Sequence, residues 1–427
     1  MMDLVPMCLS EKSQLLSGSE LEKFILVWLF PPLCLLGLIG NILTLMVLLS
    51  SDITSRANTL LACLAFCDMV FLLFMVPHSM ANFELFAFNY YFRWYYFITK
   101  VHLIGFANWS SAVAIWLVVA VCGERLLGIR YPFRTRDNWS KYCIGGIVFL
   151  IVVLAGILTS YNHISHKCVI KQFCNNTQLM SRCFDVTQDN WARNRTNDTP
   201  QFIKSYVKWS VIANAIFVVF IPIFLLAAFN MALMASVRQQ RHRLINSRHL
   251  STHSNSGNFK HAVEKGPSIW GLLPRRGTDA VVRSKTEIRI AVTVCSIVTC
   301  FTITQGPSAI VMSIKSLSAQ GTVNRNGSAL LDWYEIQTIT SFLVIVGKTL
   351  NFILFCLSSS SFRQRLLNVL RGKLKDYQRR YSTTMNSTAI IRGQQRVDLF
   401  VKQIAFSHDL LTAKIVNNPL RRNTIAA

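Results

Sequence analysis

A carboxylate and an ammonium, Asp68 and Lys348, each stand inside a run of otherwise apolar residues. A charge at bilayer depth costs roughly 2.5–3.5 kcal/mol on insertion scales, so it persists where it is paired or lines a working polar cavity. A second acid–base couple, Glu124–Arg125, closes another apolar run, and Asn41 and Asn351 add amides to two more positions. Lys348 lies one helical turn before Asn351, so the two share a face. Groups of this kind can bind an ion, relay a proton or hold a switch closed. Hydrolytic or redox chemistry is not expected. Cys, His and Asp do not cluster with metal-site or triad spacing, and no catalytic residue, metal or cofactor is predicted.

The elements that must position these groups are helices in a membrane. The chain has 427 residues, 52% hydrophobic and 15% charged, against about 25% charged in a soluble domain. Apolar runs over 23–50, 57–83, 95–128, 140–161, 203–237, 284–315 and 331–357 are long enough to cross a bilayer as helices. Their non-alternating character argues against a barrel. The fold class expected is an all-α membrane protein, a seven-transmembrane helix bundle. Glu20, Glu22 and Lys23 just before a run of full spanning length argue against a cleavable signal peptide. No myristoylation or prenylation pattern stands at the ends.

The net charge of +24 is concentrated between the third and fourth runs, between the fifth and sixth, and after the seventh. With alternating helices all three groups fall on one side. The positive-inside rule makes that side cytoplasmic and the N-terminus external. This distribution excludes a nucleic-acid surface. Residues 1–22 then form a short extracellular segment and 23–357 the bundle. Residues 358–375 form a basic amphipathic helix on the membrane surface, where Phe362, Leu366, Leu367, Leu370 and Leu374 recur at helical spacing. Residues 376–427 form a flexible cytoplasmic tail. Sequons at Asn175, Asn194, Asn197 and Asn326 all fall on the external side and are candidate glycosylation sites; those at Asn108, Asn138 and Asn386 are set aside. Cys8, Cys168, Cys174 and Cys183 also fall there, where disulfides persist. Four cysteines allow three pairings, and the spacing does not choose among them.

The motifs line up along the chain: Gly40-Asn41 in the first run, Asp68 in the second, Glu124-Arg125 ending the third, Pro222 in the fifth, Pro307 within FTITQGP in the sixth, and Asn351-Phe352-Ile353-Leu354-Phe355 ending the seventh. This order resembles the rhodopsin-like (class A) G-protein-coupled receptors over roughly 23–375. The strings around Gln305-Gly306-Pro307, Asn230 and Asn351 look most like invertebrate FMRFamide-type neuropeptide receptors. The resemblance implies that Glu124 and Arg125 hold the resting state and that Arg125 turns to a G protein on activation. It places Asn41, Asp68 and Asn351 in the polar centre, and Asn230, Gln305, Pro307 and Phe355 at activation positions. It implies as partners a peptide ligand, a heterotrimeric G protein, a receptor kinase and arrestin acting on the tail, and membrane lipids, all at the plasma membrane.

Several positions depart from that pattern. Lys100 stands where the family has a Cys bonded to the long loop, so the usual disulfide cannot form. Gln305 replaces a Trp, Phe355 a Tyr, and the fourth run lacks an internal Trp. Lys348 faces the place where many relatives hold sodium beside the Asp, and its ammonium is expected to replace that ion and pair with Asp68. Ile345, not a Lys, occupies the retinal-attachment position, and Ala107 the amine-binding position. A peptide remains the expected ligand, with Glu84, Asn108, Asp332 and Glu335 as candidate contacts. The alternatives are a chemosensory receptor for small molecules and a transporter using Asp68–Lys348 as a relay.

Overall fold

The structure, a computed structural model, describes residues 8–16, 19–50, 56–130, 141–191, 195–253, 295–311, 314, 327–358 and 360–382. Among the described residues six helices are long and apolar enough to cross a membrane: Glu20–Leu49, Arg56–Met80, Tyr90–Gly128, Cys143–His163, Gln201–Gln239 and Glu335–Leu354. A shorter apolar helix, Cys295–Val311, supplies the sixth position in chain order. The result is the expected seven-helix bundle. Several helices overrun their apolar stretches. The third spans Tyr90–Arg130 and the seventh Gly327–Ser358. Hydropathy marks where lipid contact ends, while backbone hydrogen bonding carries the helix on.

The third helix is the hub, packing on the second, fourth and fifth; the first packs on the second and seventh. Apolar side chains face both ways. Leu35, Ile39, Phe149, Leu150 and Phe224 point outward, as lipid allows. An interior cluster of Leu26, Phe30, Phe71, Leu72, Ala107 and Ile345 joins helices one, two, three and seven. Polar side chains gather inside: Asn41, Asp68, Lys348 and Asn351 are all buried.

Pro222 of the fifth run, and Pro31 and Pro32 of the first, each follow a widened helix turn. A proline lacks the N–H for the helical ladder, and its ring crowds the carbonyl four residues back. A wide π turn, Ile25–Leu29, precedes Pro31 and Pro32, and another, Ala215–Phe220, precedes Pro222. In each the bond skips one residue: Phe30 N–H donates to Ile25, and Ile221 N–H to Ile216. The extra residue opens the space that the ring needs.

The connection after the fourth helix folds as an antiparallel hairpin. Strand β1 (His166–Phe173) pairs with β2 (Gln178–Asp185), with Cys168 directly opposite Cys183. The loop between them holds Cys174, Asn175 and Asn176 at φ of 53°, 51° and 68°. Asn tolerates this left-handed region better than most residues. The pairings left open by the sequence are Cys168–Cys183, across the hairpin, and Cys8–Cys174, which ties the N-terminal segment to the hairpin tip. A second short pair, β3 (Asn190–Trp191) and β4 (Arg195–Thr196), follows. Trp191 stacks on Phe184 at 5.0 Å, and its indole N–H donates to the Asp185 carbonyl at 2.9 Å.

Beyond Arg363 the chain forms a separate unit. Its described part continues the helix Ser360–Ser382, several residues past the expected end at 375. Arg363, at the close of the first unit, donates to the Cys356 and Leu357 carbonyls at 2.9 and 3.1 Å, capping the seventh helix.

Candidate functional site

The polar centre is built from three helices. Lys348 Nζ lies 2.8 Å from Asp68 Oδ1, and the two side chains are 1% and 0% exposed. Asn351 Nδ2 donates to the other carboxylate oxygen at 2.6 Å. One carboxylate therefore receives an ammonium and an amide from the same face of the seventh helix, as the one-turn spacing requires. Asn41 Nδ2 donates to the Gly37 carbonyl at 2.9 Å and to the Lys348 carbonyl at 3.4 Å, joining the first helix to the seventh. The first helix can come this close because Gly40 has no side chain: a Cβ there would lie 2.7 Å from the Phe352 ring.

Above this centre, toward the hairpin end, opens a cavity of about 360 Å³. Its wall combines apolar groups such as Phe71 and Ile345 with neutral hydrogen-bonding ones, among them Asn108, Gln305, Ser341 and Gln337. Among the described residues Glu22 is the one carboxylate in the lining. Phe71 belongs to both places, since it lines the cavity and its ring lies 5.1 Å from Lys348 Nζ. Gln305, at the expected switch position, lines the cavity and donates to the Val344 carbonyl at 3.4 Å.

The other sequence candidates distribute unevenly. Asn108 lines the cavity, but Glu84 does not: it is largely exposed and pairs with Lys23 at 3.6 Å. Glu335 lies half-buried on the seventh helix, outside the cavity lining. Asp332 and Phe355 fall on that same helix; their side chains, with Asn194 and Asn326, lie outside the described residues. Glu124 and Arg125 are half-buried near the far end of the third helix. Asn230 donates to Thr299 Oγ1 at 3.1 Å, linking the fifth helix to the sixth, and Pro307 lies inside the sixth. Asn175 is exposed at the hairpin tip. Asn197 instead uses both amide hydrogens internally, donating to the Val186 and Gln188 carbonyls at 2.8 and 2.6 Å.

Glu22 and Arg93 are among the residues that the sequence did not mark. Glu22 read only as a charged flank of the first run; its place before a pair of prolines in an apolar stretch was the available signal. Arg93 carried none. It is 2% exposed and has carbonyl partners on three segments: Leu179 of β2 at 3.1 Å from Nε, Gln14 of the N-terminal segment at 2.5 Å and Ala87 at 2.6 Å. A second bond runs from Nη2 to Leu179. Its fork thus clasps the hairpin and the N-terminal segment to the bundle. The fourth-helix Trp that the resemblance leads one to expect has a counterpart on the third: Trp109 donates to the Val152 carbonyl at 3.0 Å, against Gly156.

A membrane bundle with a buried ion pair beneath a ligand-sized cavity fits receptors and transporters alike, and comparison with known proteins decides between them. Residues 31–262 match the model of the serpentine type 7TM GPCR chemoreceptor Srw family. A relative in Caenorhabditis elegans, the putative G-protein coupled receptor F59B2.13, is 40% identical over 90% of this chain and 82% of its own length. This chain belongs to the Srw family of G-protein-coupled receptors. A more distant relative from the same organism, the G-protein coupled receptor dmsr-1, is 24% identical over 92% of this chain and 79% of its own. As a family member the chain is a multi-pass membrane receptor that takes a ligand and couples to a G protein, and Asp68–Lys348 belongs to a receptor.

Proposed function

We propose that this Srw receptor binds the end of a peptide in the cavity at its hairpin end, that this end is extracellular, and that the receptor signals from the plasma membrane. The observation that carries the proposal is the cavity lining, which among the described residues has a single carboxylate, Glu22, beside several amide and hydroxyl groups. A carboxylate is the natural partner for the guanidinium of a basic peptide, and side-chain amides pair with backbone amides or an amidated terminus. At about 360 Å³ the cavity is at the small end of ligand sites, which run about 300–1,000 Å³. It would hold a terminus, with the rest of the peptide lying along the hairpin. The likeness to FMRFamide-type receptors in the strings around Gln305 and Asn351 supports the same reading. Ligand engagement would pass to the far end, where Glu124–Arg125 hold the resting state and Arg125 turns to the G protein. The exposed tips of the hairpin loop at Asn175 would carry glycan. The basic helix after the seventh would rest on anionic lipid, and hydroxyls in the tail would take phosphate from a receptor kinase and recruit arrestin.

A second reading, a chemoreceptor for small molecules, is favoured by the description of the matched family and by the mostly uncharged lining. One experiment separates them. Cells displaying the receptor are screened with amidated peptides and, in parallel, with small neutral odorants, read by G-protein dissociation biosensors. A peptide response is expected to be lost in Arg125→Ala with surface display intact. It should weaken in Glu22→Gln by about 10- to 150-fold, the equivalent of the roughly 1.5–3 kcal/mol carried by a hydrogen bond to a charged group. A response to odorants alone sinks the peptide reading and establishes the second.

A further inference from the structure

The inner wall of the receptor does not use one pair of side chains that the fold brings together from 61 positions apart: His102 of the third helix and His163, which ends the 3-10 turn Ser160–His163 after the fourth. Their Nδ1 atoms are 3.1 Å apart. We propose that these two imidazoles form a zinc site that modulates the receptor from beside its ligand cavity.

The spacing is the first ground. Zinc binds imidazole nitrogen at about 2.0–2.1 Å in tetrahedral geometry, which sets two such nitrogens about 3.3 Å apart. The present 3.1 Å contact needs only a few tenths of an ångström of opening. In the metal-free pair one Nδ1 carries the hydrogen and the other accepts it. With zinc between them both Nδ1 atoms present lone pairs, and the displaced hydrogen is carried on Nε2 of the same ring, the other neutral tautomer.

The second ground is that the rings are held. His163 packs over the third helix at Gly105, where a Cβ would lie 2.6 Å from its Cε1. The Phe106 ring meets its edge with centroids 4.9 Å apart. The two imidazoles lie at 25° to one another, with centroids 5.3 Å apart. A site held by packing loses less freedom when the ion arrives. His102 is exposed and His163 half-buried, so neither ring is sealed inside the bundle. No third metal-binding side chain joins them among the described residues. Water would complete the coordination, making the ion exchangeable rather than structural.

The third ground links the site to the cavity. Six residues along the third helix, nearly two turns, Asn108 lines the cavity, and its Nδ2 donates to Oδ1 of Asn162, the neighbour of His163, at 3.4 Å. Ile104 lines the same wall. A bridging zinc would fix the spacing of the third and fourth helices at this end, and with it the position of Asn108.

The test uses the full-length receptor purified into lipid nanodiscs and titrated with zinc chloride, followed by calorimetry and by the thermal unfolding midpoint. Wild type is expected to bind one equivalent saturably with a raised midpoint, while magnesium, which prefers oxygen ligands, does neither. His102→Ala and His163→Ala should each abolish the saturable binding. His102→Gln, which keeps a hydrogen-bonding neighbour for His163, serves as the second variant should alanine unfold the receptor. Absence of saturable binding by wild type overturns the proposal, as does equal binding by wild type and the variants at both positions. In cells, zinc should shift the concentration–response curve of wild type and leave that of the histidine variants unmoved.

Discussion

Removing Lys348 should do two things at once, destabilise the receptor and make it respond to sodium. The ammonium and the Asp68 carboxylate are 2.8 Å apart and essentially without solvent. At an effective dielectric of about 20 their attraction is roughly 6 kcal/mol. That gain is offset by the desolvation of both ions, several kcal/mol each, so the intact pair adds little net stability. The asymmetry appears when one partner goes. Lys348→Met keeps the apolar stem, so packing against Phe71 survives, but Asp68 keeps only the Asn351 amide at 2.6 Å among the described residues. An uncompensated buried charge costs about 3–5 kcal/mol. At about 2 °C per kcal/mol, the unfolding midpoint should fall by roughly 6–10 °C. Sodium can then enter the vacated space and coordinate the carboxylate. Unfolding is measured on nanodisc-held receptor in sodium chloride and again in choline chloride at equal ionic strength. Wild type should be indifferent to the exchange, and Lys348→Met should recover part of its loss in sodium alone. The double variant Asp68→Asn with Lys348→Met should sit closer to wild type than either single change, because no charge is left unpaired. A Lys348→Met receptor as stable as wild type and equally blind to sodium would refute the reasoning, as would a wild type stabilised by sodium.

Arg93→Met should detach the hairpin, since it leaves the Leu179, Gln14 and Ala87 carbonyls without their donor at about 1–3 kcal/mol each. Surface display should drop, with no rescue by Arg93→Lys, whose ammonium lacks the fork. Flow cytometry with an N-terminal tag measures both. Cys8→Ser, Cys174→Ser and the pair together should lower the unfolding midpoint equally, by the equivalent of about 2–4 kcal/mol, because each removes the same bond. Of the two described loop sequons, Asn175→Gln should reduce a glycosidase-sensitive gel shift by one glycan. Asn197→Gln should leave the shift unchanged and lower stability, because it breaks the bonds to Val186 and Gln188.

The parts of the molecule that were legible in the sequence are those where a residue contradicts its surroundings. Asp68 and Lys348 stood out because a charge in an apolar run has few physical explanations, and pairing across helices is the commonest. Seven spans followed from hydropathy because lipid forbids unsatisfied backbone. The hairpin was hidden. Its strands β1 and β2 mix polar and apolar residues without clean alternation, and their burial is graded rather than divided between two faces. Its register emerges only once Cys168 is seen opposite Cys183. Arg93 looked like an ordinary interfacial cation in an aromatic stretch, because what buries it, the carbonyls of two distant segments, leaves no mark on the residues around it. His102 and His163 were invisible for the same reason. Pro222 was legible as a break in the fifth run, but the π turns before it and before Pro31 and Pro32 were not.

Phe71 shows why the cavity and the buried pair should be read as one device. Its ring forms part of the cavity wall and lies 5.1 Å from the Lys348 ammonium, so a ligand that displaces the ring also changes what the ammonium faces. A free ion bound at this carboxylate could leave when the bundle rearranges. Here the cation is covalently part of the seventh helix and cannot leave. Activation must then move the whole of that helix turn, with Asn351 attached to the same carboxylate, or else strain a 2.8 Å contact in a place without water to replace it. A receptor built this way should resist opening in the absence of ligand. Lys348→Met should therefore raise basal G-protein signalling in sodium-free medium, after correction for surface display, and added sodium should suppress it. Basal activity unchanged by both the substitution and the ion would show that the pair holds the fold and does not gate the receptor.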